Sequence, residues 1–250
     1  MQTLYIVVPC YNEADCLPQT APVFRQKLGQ LMDAGIISPE SRVLFVDDGS
    51  ADGTWELIKK LHEGDCTFAG LRLSPNRGHQ NAVMAGLMEA KERADVTVSI
   101  DADLQDDIDA IDGMLEKHAQ GYPIVCGVRS SRASDTFLKR FTAQSYYALM
   151  NLFGAKLIFD HADFRLMDKK ALEKLSLYHG DDPFLRGLTT RLGLNIATVE
   201  YVRSPRAVGE SKYTLKKMVK LAVRGFTCGL QKPSDTPRPP DPHIAEWLFS

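Results

Sequence analysis

With 250 residues, 44% of them hydrophobic and 25% charged, the chain has the composition of a folded protein with a sizeable core, which excludes a disordered or fibrous one. A net charge of -2 lends no global support to a nucleic-acid partner. The five cysteines are odd in number and lack zinc spacing; with Cys10 and Cys126 inside apolar runs, they read as reduced, mostly buried thiols.

In chain order, the first apolar run is Leu4–Val8, with neither the basic lead nor the small-residue cleavage site of a signal peptide. Further runs follow at Val43–Val46, Phe68–Leu73, Val96–Ile100 and Ile124–Val128. They are rich in Val and Ile with little polar alternation, as strands covered on both faces are. Between them the spacing predicts helices over 17–34, 54–63, 79–93 and 108–120, the second with Trp55, Ile58 and Leu61 on one side. Alternating strands and helices predict an α/β fold, a doubly wound, mainly parallel sheet flanked by helices. The second half is less regular. A helix is expected over 136–153, carrying Phe141, Tyr146, Tyr147 and Phe153. Shorter elements follow at 164–167, 169–176, 183–192 and 196–203, then an amphipathic C-terminal helix over 213–226. The proline-rich residues 228–250 read as a disordered tail behind a single domain of residues 1–227. No stretch approaches the roughly 18–20 apolar residues that span a bilayer.

Ligands of open parallel sheets bind outside the carboxyl ends of the strands. Here those ends carry Pro9-Cys10-Tyr11-Asn12-Glu13, Asp47-Asp48-Gly49-Ser50, Pro75-Asn76-Arg77-Gly78-His79, Asp101-Ala102-Asp103-Leu104-Gln105-Asp106 and Gly127-Val128-Arg129. Asp101 and Asp103, two apart on an extended segment, would face the same way, with Gln105 next in line. Such hard oxygens suit Mg²⁺ or Mn²⁺, which take one or two protein carboxylates and complete their shells with phosphate and water. An acid at Asp47 or Asp48 can accept from a base imide or a ribose, whereas Gly49 and Gly53 suit tight turns. The loop at Asn76 lacks a P-loop lysine, and no G-x-G-x-x-G follows the first strand, which argues against an NTPase or a dinucleotide enzyme. A lone His79 reads first as structural.

Together these segments resemble the family 2 glycosyltransferases of GT-A fold. Gly127-Val128-Arg129, Lys139-Arg140, Ala162-Asp163-Phe164-Arg165-Leu166-Met167, Phe184-Leu185-Arg186-Gly187 and Arg206-Ala207-Val208-Gly209-Glu210-Ser211-Lys212-Tyr213 are similar to its polyprenyl-phosphate branch, which includes dolichyl-phosphate mannose synthases and bactoprenol glucosyltransferases. The resemblance spans about residues 3–227 and implies an inverting transfer of a hexose, glucose from UDP-glucose in the nearer branch, to a polyprenyl phosphate. It implies that Pro9, Tyr11, Glu13, Asp47, Asp48, Asn76, Asp101, Ala102, Asp103 and Gln105 hold the nucleotide sugar. Asp101, Asp103 and Gln105 would hold Mg²⁺ or Mn²⁺. Arg129, Arg140, Arg206, Ser211 and Lys212 would meet acceptor or donor phosphates, and Asp103, Asp163 and Arg165 would lie at the reacting centre. A phosphate acceptor is already an anion and needs little general-base help, so Asp163 is expected to orient groups or to stabilise positive charge.

The implied partners are a nucleotide-sugar donor, a polyprenyl phosphate lipid and a membrane surface at its cytoplasmic face, with no nucleic acid and with room for a homo-oligomer. Family members carry transmembrane helices after the Ser-Lys-Tyr helix, whereas this sequence turns to Arg224-Gly225-Phe226-Thr227-Cys228 and the proline-rich tail, reading as a truncation, a frameshifted product or a natural soluble form. Helix 213–226, with Leu215, Met218, Val219, Ala222 and Phe226 apolar and Lys216, Lys217, Lys220 and Arg224 basic, fits either a membrane surface or its own domain. Two other readings stand beside this one: a family 2 transferase with a sugar-hydroxyl acceptor, and a truncated nucleotide-binding chain without turnover.

Overall fold

The computed structural model describes residues 1–129, 161–180, 183–204 and 232–249. Among them, β1 (Leu4–Cys10), α1 (Leu17–Asp33), β2 (Arg42–Asp47), α2 (Thr54–Gly64), β3 (Phe68–Leu73), α3 (His79–Lys91), β4 (Val96–Ser99), α4 (Ala110–Ala119) and β5 (Ile124–Arg129) alternate as the sequence predicts. The helices expected over 136–153 and 213–226, and with them Arg140, Arg206, Ser211 and Lys212, lie outside the described residues. β6 (His161–Asp168), α5 (Lys169–Ser176), α6 (Leu185–Arg191), β7 (Ile196–Tyr201) and β8 (Ile244–Leu248) complete the described elements.

The strands form one eight-stranded sheet in the order β7-β5-β6-β4-β1-β2-β3-β8. β1 pairs in parallel with both β2 and β4, β2 with β3, and β5 with β7, whereas β6 runs antiparallel between β4 and β5. Strand order reverses between β1 and β4, the place where open α/β sheets open a ligand crevice.

Both faces of the sheet are covered, which explains strands without polar alternation. Leu4, Ile6 and Val8 of β1, Val43 and Phe45 of β2, and Val96 and Val98 of β4 pack with Phe24, Leu28, Ile58 and Met114 from α1, α2 and α4. Val7, Leu44, Val46 and Leu71 point the other way, onto α3, α5 and α6. Helix α3 approaches so closely that a Cβ on Gly86 would lie 2.6 Å from the Val7 and Val46 side chains, so glycine is required there. Asp168 caps α5, accepting from Ala171 N at 2.7 Å.

The tail departs from expectation. Residues 232–249 are ordered against the domain and Ile244–Leu248 adds an antiparallel strand to β3, where the proline content had suggested disorder over 228–250. Proline removes donors but does not prevent anchoring. Ser234 and Arg238 donate their backbone N–H groups to Leu177 and Ser176 at 2.7 Å, and Ser74 donates to His243 at 2.9 Å.

Candidate active site

At the carboxyl end of β1, Asn12 turns the chain at φ 55 and exposes the Tyr11 side chain. The turn is tied to the loop after β2. Asn12 N donates to Ser50 Oγ (2.9 Å), Ala51 N to Asn12 Oδ1 (3.0 Å), Glu13 N to Thr54 Oγ1 (2.9 Å) and Ala14 N to Asp52 Oδ2 (3.2 Å). That second loop is locked in turn to the loop after β3. Asp48 accepts from Arg77 N (2.7 Å) and Gly78 N (2.8 Å), while Asn76 Nδ2 donates to the Asp48 carbonyl (2.9 Å). Gly49 lies in the left-handed region at φ 67, and a Cβ there would sit 2.8 Å from Asn76 N.

Two adjacent acids thus have separate tasks. Asp48 is 2% exposed and binds backbone. Asp47 is fully buried; its Oδ1 accepts from Ser50 N at 3.1 Å, whereas its Oδ2 accepts no hydrogen bond although Arg72 Nε lies 3.3 Å away. Burial pushes both carboxyls up, partly opposed by those hydrogen bonds and, for Asp47, by Arg72.

Beyond β4, Asp101 and Asp103 lead into a tight turn rather than an extended segment. Gln105 N donates to Asp103 Oδ1 (3.1 Å), and Leu104 takes φ 47, a costly conformation for leucine. Burial raises the Asp101 carboxyl, and the acids Asp163, Asp106 and Asp103 add to the effect against His79. The acidic rim is continuous. Burial and Glu13 raise the Cys16 thiol, with Asp103 contributing, and burial, Glu13 and Asp47 raise Cys10 well above its usual range.

Asp163 reaches this rim through strand register. β4 and β6 pair Ser99 with Arg165, and Ser99 Oγ donates to the Asp163 carbonyl at 2.7 Å, which brings Asp163 alongside Asp101. The Asp163 carboxylate accepts from Arg165 Nη2 (2.7 Å), from Arg186 Nε and Nη2 (3.2 Å each) and from Gln80 Nε2 (3.2 Å). His79 Nε2 stands 3.6 Å from Asp163 and 3.7 Å from Asp101, joining the two acids. Burial opposes ionisation of Asp163, yet Arg186, His79 and Arg165 hold its carboxyl well below the usual carboxylate range. His79, in contrast, is raised: burial lowers it, but Asp163 and Asp101 outweigh that.

Gln105 and Asp106 face a third group. Arg203 Nη2 donates to Gln105 Oε1 (2.6 Å), Gln105 Nε2 to the Ser204 carbonyl (3.5 Å) and Ser204 N to the Gln105 carbonyl (2.8 Å). Asp106 is 2% exposed; it accepts from Tyr201 Oη (2.7 Å) and lies 3.7 Å from both Arg129 and Arg203.

The structure therefore gathers Tyr11, Glu13, Asp47, Asp48, Asn76, Asp101, Ala102, Asp103, Asp163 and Arg165 along one edge, and Pro9 enters it as a residue of β1 paired with Val46. It places the Gln105 amide on Arg203 and Ser204 and pairs Arg129 with Asp106. Sequence reasoning missed the bridging place of His79, gave Asp106 a place at a strand end but no role, and missed Gln80 and Arg203 altogether. Arg186 had a signal in its Phe-Leu-Arg-Gly segment, but nothing linear joins it to Asp163.

Among the described residues, no group of three or more His, Cys, Asp or Glu side chains forms a ready metal cage. Asp101 and Asp103 nevertheless fit Mg²⁺ or Mn²⁺: they are hard oxygen donors, burial and the acids it faces raise the Asp101 carboxyl against the imidazole of His79, and such ions draw their other ligands from phosphate and water.

The profile of the family described as Glycosyl transferase family 2 matches residues 5–176. An uncharacterised glycosyltransferase of Bacillus subtilis, YkoT, is 47% identical over 224 residues, 90% of this chain and 66% of that protein. The bactoprenol glucosyl transferase of Shigella phage SfV is 34% identical, over 89% of this chain and 70% of its own length. The chain thus spans about two thirds of the length of these relatives. Among solved structures, the glucosyl-3-phosphoglycerate synthase of Mycobacterium tuberculosis, in complex with Mn²⁺, UDP and glucosyl-3-phosphoglycerate, superposes with a TM-score of 0.61 at 16% identity, covering 99% of this chain and 90% of that one.

Proposed function

Given that the chain belongs to glycosyl transferase family 2 and has the GT-A fold, we propose that it moves a hexose, glucose from UDP-glucose, onto a polyprenyl phosphate with inversion at the sugar carbon. The single observation that carries this choice of acceptor is the state of Asp163. An acid ion-paired with Arg165 at 2.7 Å and with Arg186 at 3.2 Å, its carboxyl held well below the usual range, is a poor general base, and a sugar-hydroxyl acceptor needs one. A phosphate acceptor brings its own anion. The 34% identity to bactoprenol glucosyl transferases supports the same reading.

In this reading the transferase domain is residues 1–227 together with β8, which extends its sheet. Tyr11, Glu13 and Asp47 receive the nucleoside, while Asp48 and Asn76 shape the loop beneath it. Asp101 and Asp103 would hold Mg²⁺ or Mn²⁺, and the ion would supply positive charge for the leaving diphosphate. Asp163 keeps Arg165 and Arg186 in place, so that its negative charge faces the cationic sugar carbon as the bond to the diphosphate lengthens. Guanidinium groups suit phosphate contacts, and Arg186, whose Nε and Nη2 hold Asp163, is 29% exposed at this edge, within a phosphate's approach. The lipid acceptor puts the working enzyme at a membrane surface, and we place it on the cytoplasmic side; among the described residues no helix is long and apolar enough to cross a membrane.

The test is UDP release from UDP-glucose with undecaprenyl phosphate, detergent and Mn²⁺. Turnover that needs the lipid phosphate supports the proposal. Turnover with soluble sugars instead would show a hydroxyl acceptor, and UDP binding without turnover on a folded chain would point to a nucleotide-binding chain.

A further inference from the structure

β8 lies outside residues 5–176, where the family profile matches, yet it reaches the candidate donor site through one side chain. Arg72, near the end of β3, stands opposite Glu246 in the antiparallel ladder. Its Nη1 donates to Glu246 Oε1 at 3.3 Å, its Nε faces Asp47 Oδ2 at 3.3 Å, and its guanidinium lies 5.8 Å from the centroid of the Trp55 ring. The strand that carries Glu246 is firmly seated. Leu248 packs over Gly70, whose missing Cβ would come 3.1 Å from it, and Arg93 covers the Phe249 ring at 4.1 Å. Before the strand, Arg238 Nη2 donates to the Gly180 carbonyl.

Asp47 needs what this arrangement supplies. It is a fully buried carboxylate with one backbone donor on Oδ1 and none on Oδ2. A buried charge persists as a charge only when compensated. The Ser50 hydroxyl also stabilises the charge, but Asp52 adds to the push on Asp47, Cys10 and Glu13 share the same rim, and Arg72 is the cation beside it. Arg72 is thus the cation that, beside the Ser50 hydrogen bonds, opposes the upward push of burial on Asp47, while Oδ2 keeps no hydrogen bond of its own.

We propose that Arg72 is a positioning residue for Asp47, and that the C-terminal strand, through Glu246, holds Arg72 in place and so sets the affinity of the site for a uracil nucleotide. This rests on Asp47 contacting the nucleotide. Arg72 itself reaches no reacting atom; it acts by fixing the charge and the rotamer of its neighbour.

A double-mutant cycle in the full chain, read by calorimetry with UDP and Mn²⁺, tests it. Arg72→Gln should weaken UDP binding about tenfold and Glu246→Lys about threefold, and both effects should vanish in an Asp47→Asn background, because coupled residues are non-additive. Arg72→Lys, which keeps the charge without the fork, should fall between wild type and Arg72→Gln, and it serves if Arg72→Gln lowers the thermal midpoint of the nucleotide-free protein. Losses that persist undiminished beside Asp47→Asn would make Arg72 and Glu246 merely structural and overturn the inference, as would unchanged affinity in both single variants. If Asp47→Asn alone leaves UDP affinity unchanged, the placement of the nucleotide is what has failed.

Discussion

The two sides of the strand-end edge satisfy their acids by different means. After β1 and β2, Asp48 binds two backbone amides, and Asp52 binds Ala14 N and Thr54 N. After β4 and on β6, Asp163 is surrounded by guanidinium groups and an imidazole. Backbone donors fix the shape of loops and are indifferent to what the ligand carries. Side-chain cations fix charge, and a ligand that brings phosphate can share them. The contrast assigns mainly shape to the nucleoside side, where Arg72 beside Asp47 is the exception, and charge management to the reacting side, with Asp101 and Asp103 between them.

The largest expected effect breaks the charged side. Asp163→Ala leaves Arg165, whose side chain has 0% exposure, with the Thr189 hydroxyl as its one side-chain hydrogen-bond partner among the described residues, at 2.8 Å, and uncovering a buried charge costs about 3–5 kcal/mol. Chemical denaturation at neutral pH checks this; a loss under about 1 kcal/mol would mean the network is not a buried ion network. The sign with pH follows from the depressed carboxyl. Asp163 contributes stability that is fully present above the ordinary carboxylate pKa, about 3.9, and is lost as pH falls below it toward the depressed folded value. Wild type should therefore show a steeper acid loss in that window than Asp163→Ala.

Next in size is the boundary between the two sides. Asp103→Ala should weaken UDP binding in Mn²⁺ by about a hundredfold while leaving the much weaker metal-free binding unchanged, since it removes one of two protein carboxylates from the shell. Equal losses with and without Mn²⁺ would assign Asp103 to the turn it makes with Gln105, and not to the ion.

How much of this was legible beforehand follows the same divide. β1 to β5 and the helices between them lie within about two residues of where apolar runs and spacing put them, because a parallel sheet covered on both faces leaves that signature in linear order. The acids of the strand ends were legible for the same reason. The antiparallel insertion of β6 between β4 and β5 was not, because no local pattern encodes which strand a late segment will join, and with it went the meeting of Asp163, His79 and Arg186. Gln105 illustrates a subtler limit: its spacing suggested a third oxygen in line with Asp101 and Asp103, but Leu104 at φ 47 breaks the alternation and sends the amide toward Arg203. Strand β8 was hidden by composition, since Ile244-Ala245-Glu246-Trp247-Leu248 is a good strand sequence next to a proline-rich one.

The smallest expected effect is the most discriminating. Asp101 sits among Asp103, Asp106 and Asp163 with His79 as its near cation, at 3.7 Å. Without a divalent ion such crowding works against the fold. Asp101→Asn keeps the size and the hydrogen-bonding capacity while removing the charge, so the metal-free protein should unfold about 1–2 °C higher than wild type. The gain is small because the side chain is 37% exposed and water screens the repulsion. Added Mn²⁺ with UDP should then stabilise wild type and leave Asp101→Asn nearly unmoved, reversing the order of the two melting curves, because only a protein that binds the ligand gains by mass action. A crossing of the curves is what a charge held in reserve for a cation requires. Curves that keep the same order with and without the ion and nucleotide would mean that Asp101 is compensated by His79 alone, and that the acidic rim is part of the scaffold.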